Sequence, residues 1–387
     1  DPDGQPRPIG TQPAANVDII DPGLEQPAIW KANLAFDHEL PFFGLVASAE
    51  LLLTKTETGI FYEHLNLGEA TRIGPDGREL YWNANGYDPT RWNANGQGSS
   101  VTSRARSNSA FGNVLLAKAS DKGHGEMLTV ALSKPMSNDW SWSLAYTYAD
   151  ATDVSPLTSS TSNSNWNGRM IFNPNEEVEG TSNYLVKDRF IADMQWRRYF
   201  FEGYKTEIGL FYEGRKGKPY SWTYINDFNG DGIAGNDLMY IPNPNQVSFR
   251  DRNGNGTADE AAAFWAIVNA NPALRGSVGS VVERNNDYNP WINSFDVRIS
   301  QDLPGFFEGN KTVISLDILN IGNLLNKKWG QIDEIGFPSN RSFVWYNGID
   351  PVTGNYVYNV GNVENEINRQ AKGESSWAAQ FTIRYVF

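Results

Sequence analysis

Two stretches of the chain carry oxygen-bearing side chains at the spacing that suits a hard divalent cation. The first is Asp227-Phe-Asn229-Gly-Asp231-Gly-Ile233, followed by Asn236 and Asp237. The second is Asp251-Arg-Asn253-Gly-Asn255-Gly-Thr257, followed by Asp259 and Glu260. Each places Asp or Asn at positions 1, 3 and 5 of a loop and Gly at position 6. Alternate side chains of such a loop converge on one ion, position 7 offers its backbone carbonyl, and Gly permits the sharp turn. The bidentate acid that closes a calcium loop at position 12 is missing, since Leu238 and Ala262 stand there. Asp237 at position 11 and Asp259 at position 9 are the available substitutes. Calcium is thus the one cofactor these residues suggest. Asp227, Asn229, Asp231, Ile233 and Asp237 are the candidate ligands of the first loop, and Asp251, Asn253, Asn255, Thr257 and Asp259 those of the second. The same residues also build Asx turns that hold no ion, so both readings stay open.

Other chemistry finds little support. The chain has no cysteine, which removes thiolate catalysis, disulfides and cysteine metal sites. His38, His64 and His124 are scattered without paired spacing. There is no serine nucleophile elbow and no phosphate-binding glycine loop. No organic cofactor and no enzymatic activity are expected. The net charge of -13 argues against a nucleic-acid partner. Loop tryptophans either stack on a ligand or pack the loops together. Trp82, Trp92, Trp222 and Trp345 are the candidate ligand-facing ones, and Trp166 and Trp329 share the ambiguity.

The elements that must position these loops are strands. Residues 377–387 set the pattern: Trp377, Ala379, Phe381, Ile383, Tyr385 and Phe387 alternate with smaller or more polar residues. Period two with one greasy face is a strand signature, and the length suits a tilted membrane-crossing strand of about 9–11 residues. Similar alternation recurs around 30–36, 45–67, 111–134, 140–148, 190–196, 204–212, 291–299 and 312–318. That makes nine strands. Short turns (three with Phe-Phe pairs at 42–43, 200–201 and 306–307) alternate with long polar connections. The longest runs over 217–290 and holds both Asp/Asn/Gly stretches. Its residues 260–269 have helical composition.

This predicts an all-β chain, an antiparallel transmembrane barrel with short periplasmic turns and long extracellular loops. Residues 1–26 read as an extracellular loop and 27–387 as barrel. Aromatics at 13% alongside a mean hydropathy of -0.49 fit a barrel, where only alternate residues meet lipid. No run approaches about 18 apolar residues, so a spanning helix is not expected. A soluble sandwich is the competing architecture, and it requires the greasy faces to be buried against each other. Bacterial single-chain barrels have even strand numbers, so nine implies further strands before residue 1.

Three stretches resemble Oar-like TonB-dependent outer-membrane receptors: residues 16–40, 316–326 and above all 219–242 (PYSWTYINDFNGDGIAGNDLMYIP). The resemblance implies a 22-stranded barrel of which these are about the last nine strands. It also implies an N-terminal extension, a TonB box and a plug domain, none of them present in this sequence. Phe381, Ile383, Tyr385 and Phe387 are similar to the family's terminal signal, read by the barrel-assembly machinery. The expected location is the outer membrane of a Gram-negative bacterium. Expected partners are the bilayer and its lipopolysaccharide, TonB acting through the missing plug, and a surface lipoprotein or extracellular ligand. The expected function is TonB-dependent transport of a large substrate, a peptide or glycan. The alternatives are a structural anchor or adhesion platform with calcium-stiffened loops, and a soluble calcium-binding sandwich.

Overall fold

The computed structural model describes residues 14–93, 96, 101, 107–201, 203–364, 366–369 and 373–387. Its largest sheet has twelve strands, nine of which form a continuous wall. These are β1 (Ala28–Glu39), β2 (Val46–His64), β3 (His124–Ser137), β4 (Trp140–Asp153), β5 (Asp188–Phe201), β6 (Tyr204–Arg215), β7 (Ile292–Pro304), β8 (Lys311–Leu319) and β9 (Ala378–Val386). Each pairs antiparallel with the next in sequence. The other three are Ala15–Ile20, Phe111–Ser120 and Gly180–Thr181. Phe111–Ser120 continues the line of β3 along the upper half of β2. The break between them falls at 121–123, where the sequence shows an interruption. Among the described residues β1 pairs only with β2, and β9 only with β8.

The register aligns the alternating residues into two faces. Trp142 lies opposite Met194, Leu144 opposite Ala192 and Tyr146 opposite Phe190. Leu210 lies opposite Val297 and Leu316 opposite Phe381. The other face is polar. There Arg298 meets Asp317 at 3.0 Å and Arg189 meets Glu213 at 2.7 Å. Such cross-strand pairs fix register, because a slip of one residue would swap the faces. The greasy face is not covered by a second sheet: Leu34 is 72% exposed, Leu144 51%, Phe295 50% and Phe381 64%. That excludes the sandwich. Among the described residues, no helix is long and apolar enough to cross a membrane.

The short connections are hairpins. The tightest places Asn138 and Asp139 at φ of 52° and 67°, the double left-handed geometry that matches strand twist and that Asn and Asp tolerate. All six Phe-Phe turn residues are exposed. The long connections gather at the opposite end of the wall, and they are not irregular. They form a folded layer with its own sheet, in the order Ser248–Phe249, Tyr356–Glu364, Asn340–Ile349, Pro219–Trp222, Asp287–Tyr288. Helix α1 (Ala258–Ala270), which covers the expected helical stretch, inserts Phe264 and Val268 against this sheet. The principal hydrophobic core of the molecule lies here rather than in the wall.

One expectation is corrected, and one long connection is more than a loop. Within 1–26, Ala15–Ile20 is a strand paired in parallel with Phe111–Ser120, while residues 1–13 lie outside the described residues. The stretch 323–375 is not a plain loop. It contains the hairpin Asn340–Ile349 with Tyr356–Glu364, whose residues are buried by contacts from distant segments.

Candidate functional site

The first Asp/Asn/Gly loop is set into the loop layer, with Asn229 and Asp231 buried, Asp227 and Ile233 half-buried and Gly232 exposed. Asp227 accepts the backbone N–H of Gly230 and of Gly232, both at 2.7 Å. Asn229 Oδ1 accepts from Asp231 N, and Asp231 Oδ1 from Ile233 N, each at 2.8 Å. Gly230 and Gly232 have φ of 85° and 95°, which glycine adopts without strain. From outside, Tyr81 N donates to Asn229 O and the Trp82 indole N–H to Phe228 O. Asn229, Asp231, Asn236 and Asp237 are each 1% exposed or less.

Three carboxylates thus share one dry region with few cations. Burial first, then the charges of Asp231 and Asp237, hold the Asp227 carboxyl well above its ordinary range. Burial and Asp231 lift Asp237 to about 8 against the opposing pull of Arg78. Arg78 is fully buried, 3.4 Å from Asp237 and 3.3 Å from Asp76. Its guanidinium also donates to the carbonyls of Phe172 and Leu238 and lies over the Phe228 ring. Asp237 Oδ2 accepts from Phe228 N. This carboxylate is therefore already engaged on both oxygens.

The second loop repeats the pattern in water. Asp251 accepts from Gly254 N at 2.6 Å and Gly256 N at 3.0 Å, and Asn253 Nδ2 donates to Asp259 at 2.8 Å. Asp251, Asn253, Asn255, Thr257 and Asp259 are all exposed. The backbone donors of Gly256 and Gly254 lower the Asp251 carboxyl, and Asn253 lowers Asp259.

Among the described residues, no three acidic or histidine side chains are placed to share one metal ion. A cation in the first loop would therefore rest on Asp227, Asp231, the Asn229 amide and the Ile233 carbonyl. Asn236 fits that set, because its Oδ1 is buried without a partner while its Nδ2 lies 3.4 Å from Asp231.

The candidate ligand-facing tryptophans are corrected for three of four. Trp82, Trp92 and Trp222 are buried. Trp82 stacks on Tyr346 with an interplanar angle of 7°, and Trp92 meets both rings edge-on. The Trp222 indole donates to Asp287. Aromatic rings of this size bury more area than any other side chain, so the loop layer is built on them. Trp345 is half-buried, wedged against Gly96 and Gly361 beneath the Arg252 guanidinium. A cavity of about 540 Å³ lies on the polar face of the wall under residues 182–186, lined by Thr129, Thr147, Tyr184 and Arg189. Leu52, Met127, Leu185 and Val186 also line it, so its accessible surface is more apolar than polar.

At the chain terminus Phe381, Ile383 and Phe387 are exposed on the greasy face. Tyr385 accepts hydrogen bonds from Phe306 N and Asn310 Nδ2 and stacks on Phe306. The terminal strand is thereby tied to the neighbouring short turn. Sequence reasoning missed Arg78, whose Asp-Gly-Arg setting reads as a surface turn; nothing local announces its burial. Residues 2–331 match a family model described as an outer membrane beta barrel domain. No curated protein matches the chain.

Proposed function

Because the chain belongs to the outer membrane beta barrel domain family, we propose that it forms the wall and outer loop layer of a TonB-dependent receptor for a large substrate, a peptide or glycan. The observation that carries this reading is the open wall. Nine strands run in unbroken order, and β1 and β9 each keep an unpaired edge among the described residues. Unpaired backbone cannot face lipid, so the sheet needs further strands to close. The resemblance at 219–242 supports assigning those strands, and a plug that meets TonB, to the same receptor. In this reading the polar-face cavity belongs to the vestibule, the exposed Phe-Phe turns form the periplasmic girdle, and Phe381, Ile383, Tyr385 and Phe387 are read by the assembly machinery. No covalent step is assigned to any residue. The test is the intact mass of the protein extracted from outer membranes in detergent. A mass more than twice the 43.2 kDa of this chain is expected. A single 43.2 kDa species would sink the reading.

A second reading is favoured by the burial of the first Asp/Asn/Gly loop. A cation held there by Asp227, Asn229, Asp231 and the Ile233 carbonyl would stiffen the whole loop layer, making the molecule a surface anchor or adhesion platform. The double substitution Asp227→Asn with Asp231→Asn separates the two. Loss of cell-surface adhesion with uptake intact supports the anchor; loss of uptake supports the receptor.

A further inference from the structure

The greasy face of the wall should be smooth where it meets acyl chains, yet at its long-loop end it is roofed. After β8 the chain turns at Asn320, which adopts a left-handed conformation, and forms the short helix α2 (Ile321–Leu325). Helix and following residues fold back over the apolar face of β4 to β7. Between them lies a groove of about 600 Å³. Leu144, Met194 and Phe295 floor it, and Ile321, Leu325 and Trp329 wall it. Its accessible lining is almost wholly apolar. The volume is within the range of about 300–1,000 Å³ usual for small-molecule sites.

The roof is built, not draped. Asn320 Nδ2 donates to Gly330 O at 2.6 Å and to Glu374 O at 3.1 Å. Asn323 Nδ2 donates to the carbonyls of Lys327 and Trp329, and Trp377 N donates to Asn323 Oδ1. Gly330 has φ of 59°, and an added Cβ would fall 1.8 Å from Asn320 Oδ1, so this turn admits only glycine. At the rim the groove passes, past Phe295, Gly322 and Trp329, into a second cavity of about 270 Å³. That one is polar and is bordered by Lys328, Gln331, Asn293 and Asn320, whose Oδ1 is buried without a partner. Asp333 also borders it, so its cationic side is the Lys328 side. Lys327 and Lys328 are adjacent and exposed.

An apolar slot that opens onto a lipid-facing surface and leads past Trp329 to Lys328, with exposed Lys327 next to it in the chain, matches one occupant. We propose that this groove seats one acyl chain of an anionic, diphosphorylated glycolipid of the outer leaflet, with Lys327 and Lys328 on its phosphates. The groove is continuous with the membrane-facing band, so a chain enters it sideways from the leaflet without leaving hydrocarbon. The long-loop end of an outer-membrane barrel is the extracellular one, which selects the outer leaflet. Exposed Trp329 lies beside the lysines, at the depth where indoles settle. The proposal depends on membrane orientation and not on TonB coupling, and it stands if the receptor reading fails.

Native mass spectrometry of the full protein, purified from outer membranes in mild detergent and then offered lipid A or phosphatidylethanolamine, tests it. The wild type is expected to retain one lipid A and little phosphatidylethanolamine. Lys327→Gln with Lys328→Gln should weaken lipid A retention roughly tenfold or more, each surface cation contributing a share. Ala192→Trp, which fills the groove without adding charge, should abolish it; if that wall variant does not assemble, Leu325→Asn on the helix replaces it. Inorganic phosphate should not compete. Equal retention by all variants, equal binding of both lipids, or displacement by inorganic phosphate would each overturn the proposal.

Discussion

Asp227 and Asp251 begin loops of the same design with opposite fates. Each accepts the N–H groups of the glycines three and five residues on, and the glycines adopt matching left-handed angles. Yet the Asp227 carboxyl is driven up and the Asp251 carboxyl down. The local hydrogen bonds cannot explain the difference, since they favour the charged form in both. Burial beside Asp231 and Asp237 decides it for the first loop, and water leaves the backbone donors in control of the second. The same motif is thus a charged surface turn in one place and a desolvated cluster of like charges in the other.

The comparison breaks most sharply at Arg78. Arg78→Met would leave Asp76 and Asp237 buried without their cation and is expected to cost about 3–5 kcal/mol, read as urea unfolding of the loop layer by tryptophan fluorescence. The second loop has no buried cation to lose, so Asp251→Asn should leave the same curve nearly unmoved. If the two substitutions cost the same, the loops do not differ in the way argued.

The glycines give a smaller and cleaner contrast. Gly254→Ala meets open space and carries only the left-handed cost of roughly 1–2 kcal/mol. Gly230→Ala carries that cost and also drives a Cβ to 2.9 Å from Trp82, adding about 1–3 kcal/mol of overpacking. Unfolding midpoints of the two variants measure the difference directly.

The pH dependence is the most informative about a cation. A carboxyl lifted on folding binds its proton more tightly in the folded chain. The contribution of Asp237 is therefore full below its ordinary value of 3.8 and lost as pH rises through about 8. Asp251, lowered on folding, works the other way and loses its contribution as pH falls. Hydrogen exchange at Gly232, corrected for intrinsic rates, should speed up toward pH 8 while exchange at Gly256 does not. Calcium added at pH 8 should restore protection at Gly232 and do little at pH 5, where protons already neutralise the cluster. No calcium effect at pH 8 would remove the ion from the first loop.

Much of the wall was legible because its information is local. Period-two alternation at 140–148 or 377–387 needs only neighbouring residues to read, and so do the Asn138-Asp139 turn and the helical run in 260–269. The loop layer resisted the same reading. Tyr346 and Tyr358 are buried because Trp82, Phe228 and Phe264 arrive from segments far away in sequence. The aromatic runs at 343–346 and 356–358 suit strands, but nothing near them states which distant segments will cover them.

By itself, then, the amino-acid order determined the alternating strands with one greasy face, their turns and the two Asp/Asn/Gly loops, while the sandwich was excluded only by the exposure of that face in the structure. Only the tertiary structure decided which loop is buried, which tryptophans pack rather than point outward, where Arg78 lies, and that α2 roofs a groove on the lipid side. The division has one physical cause. Face and turn are properties of a few consecutive residues, whereas burial, and with it the charge state of a carboxyl, depends on which distant segments arrive to exclude the water.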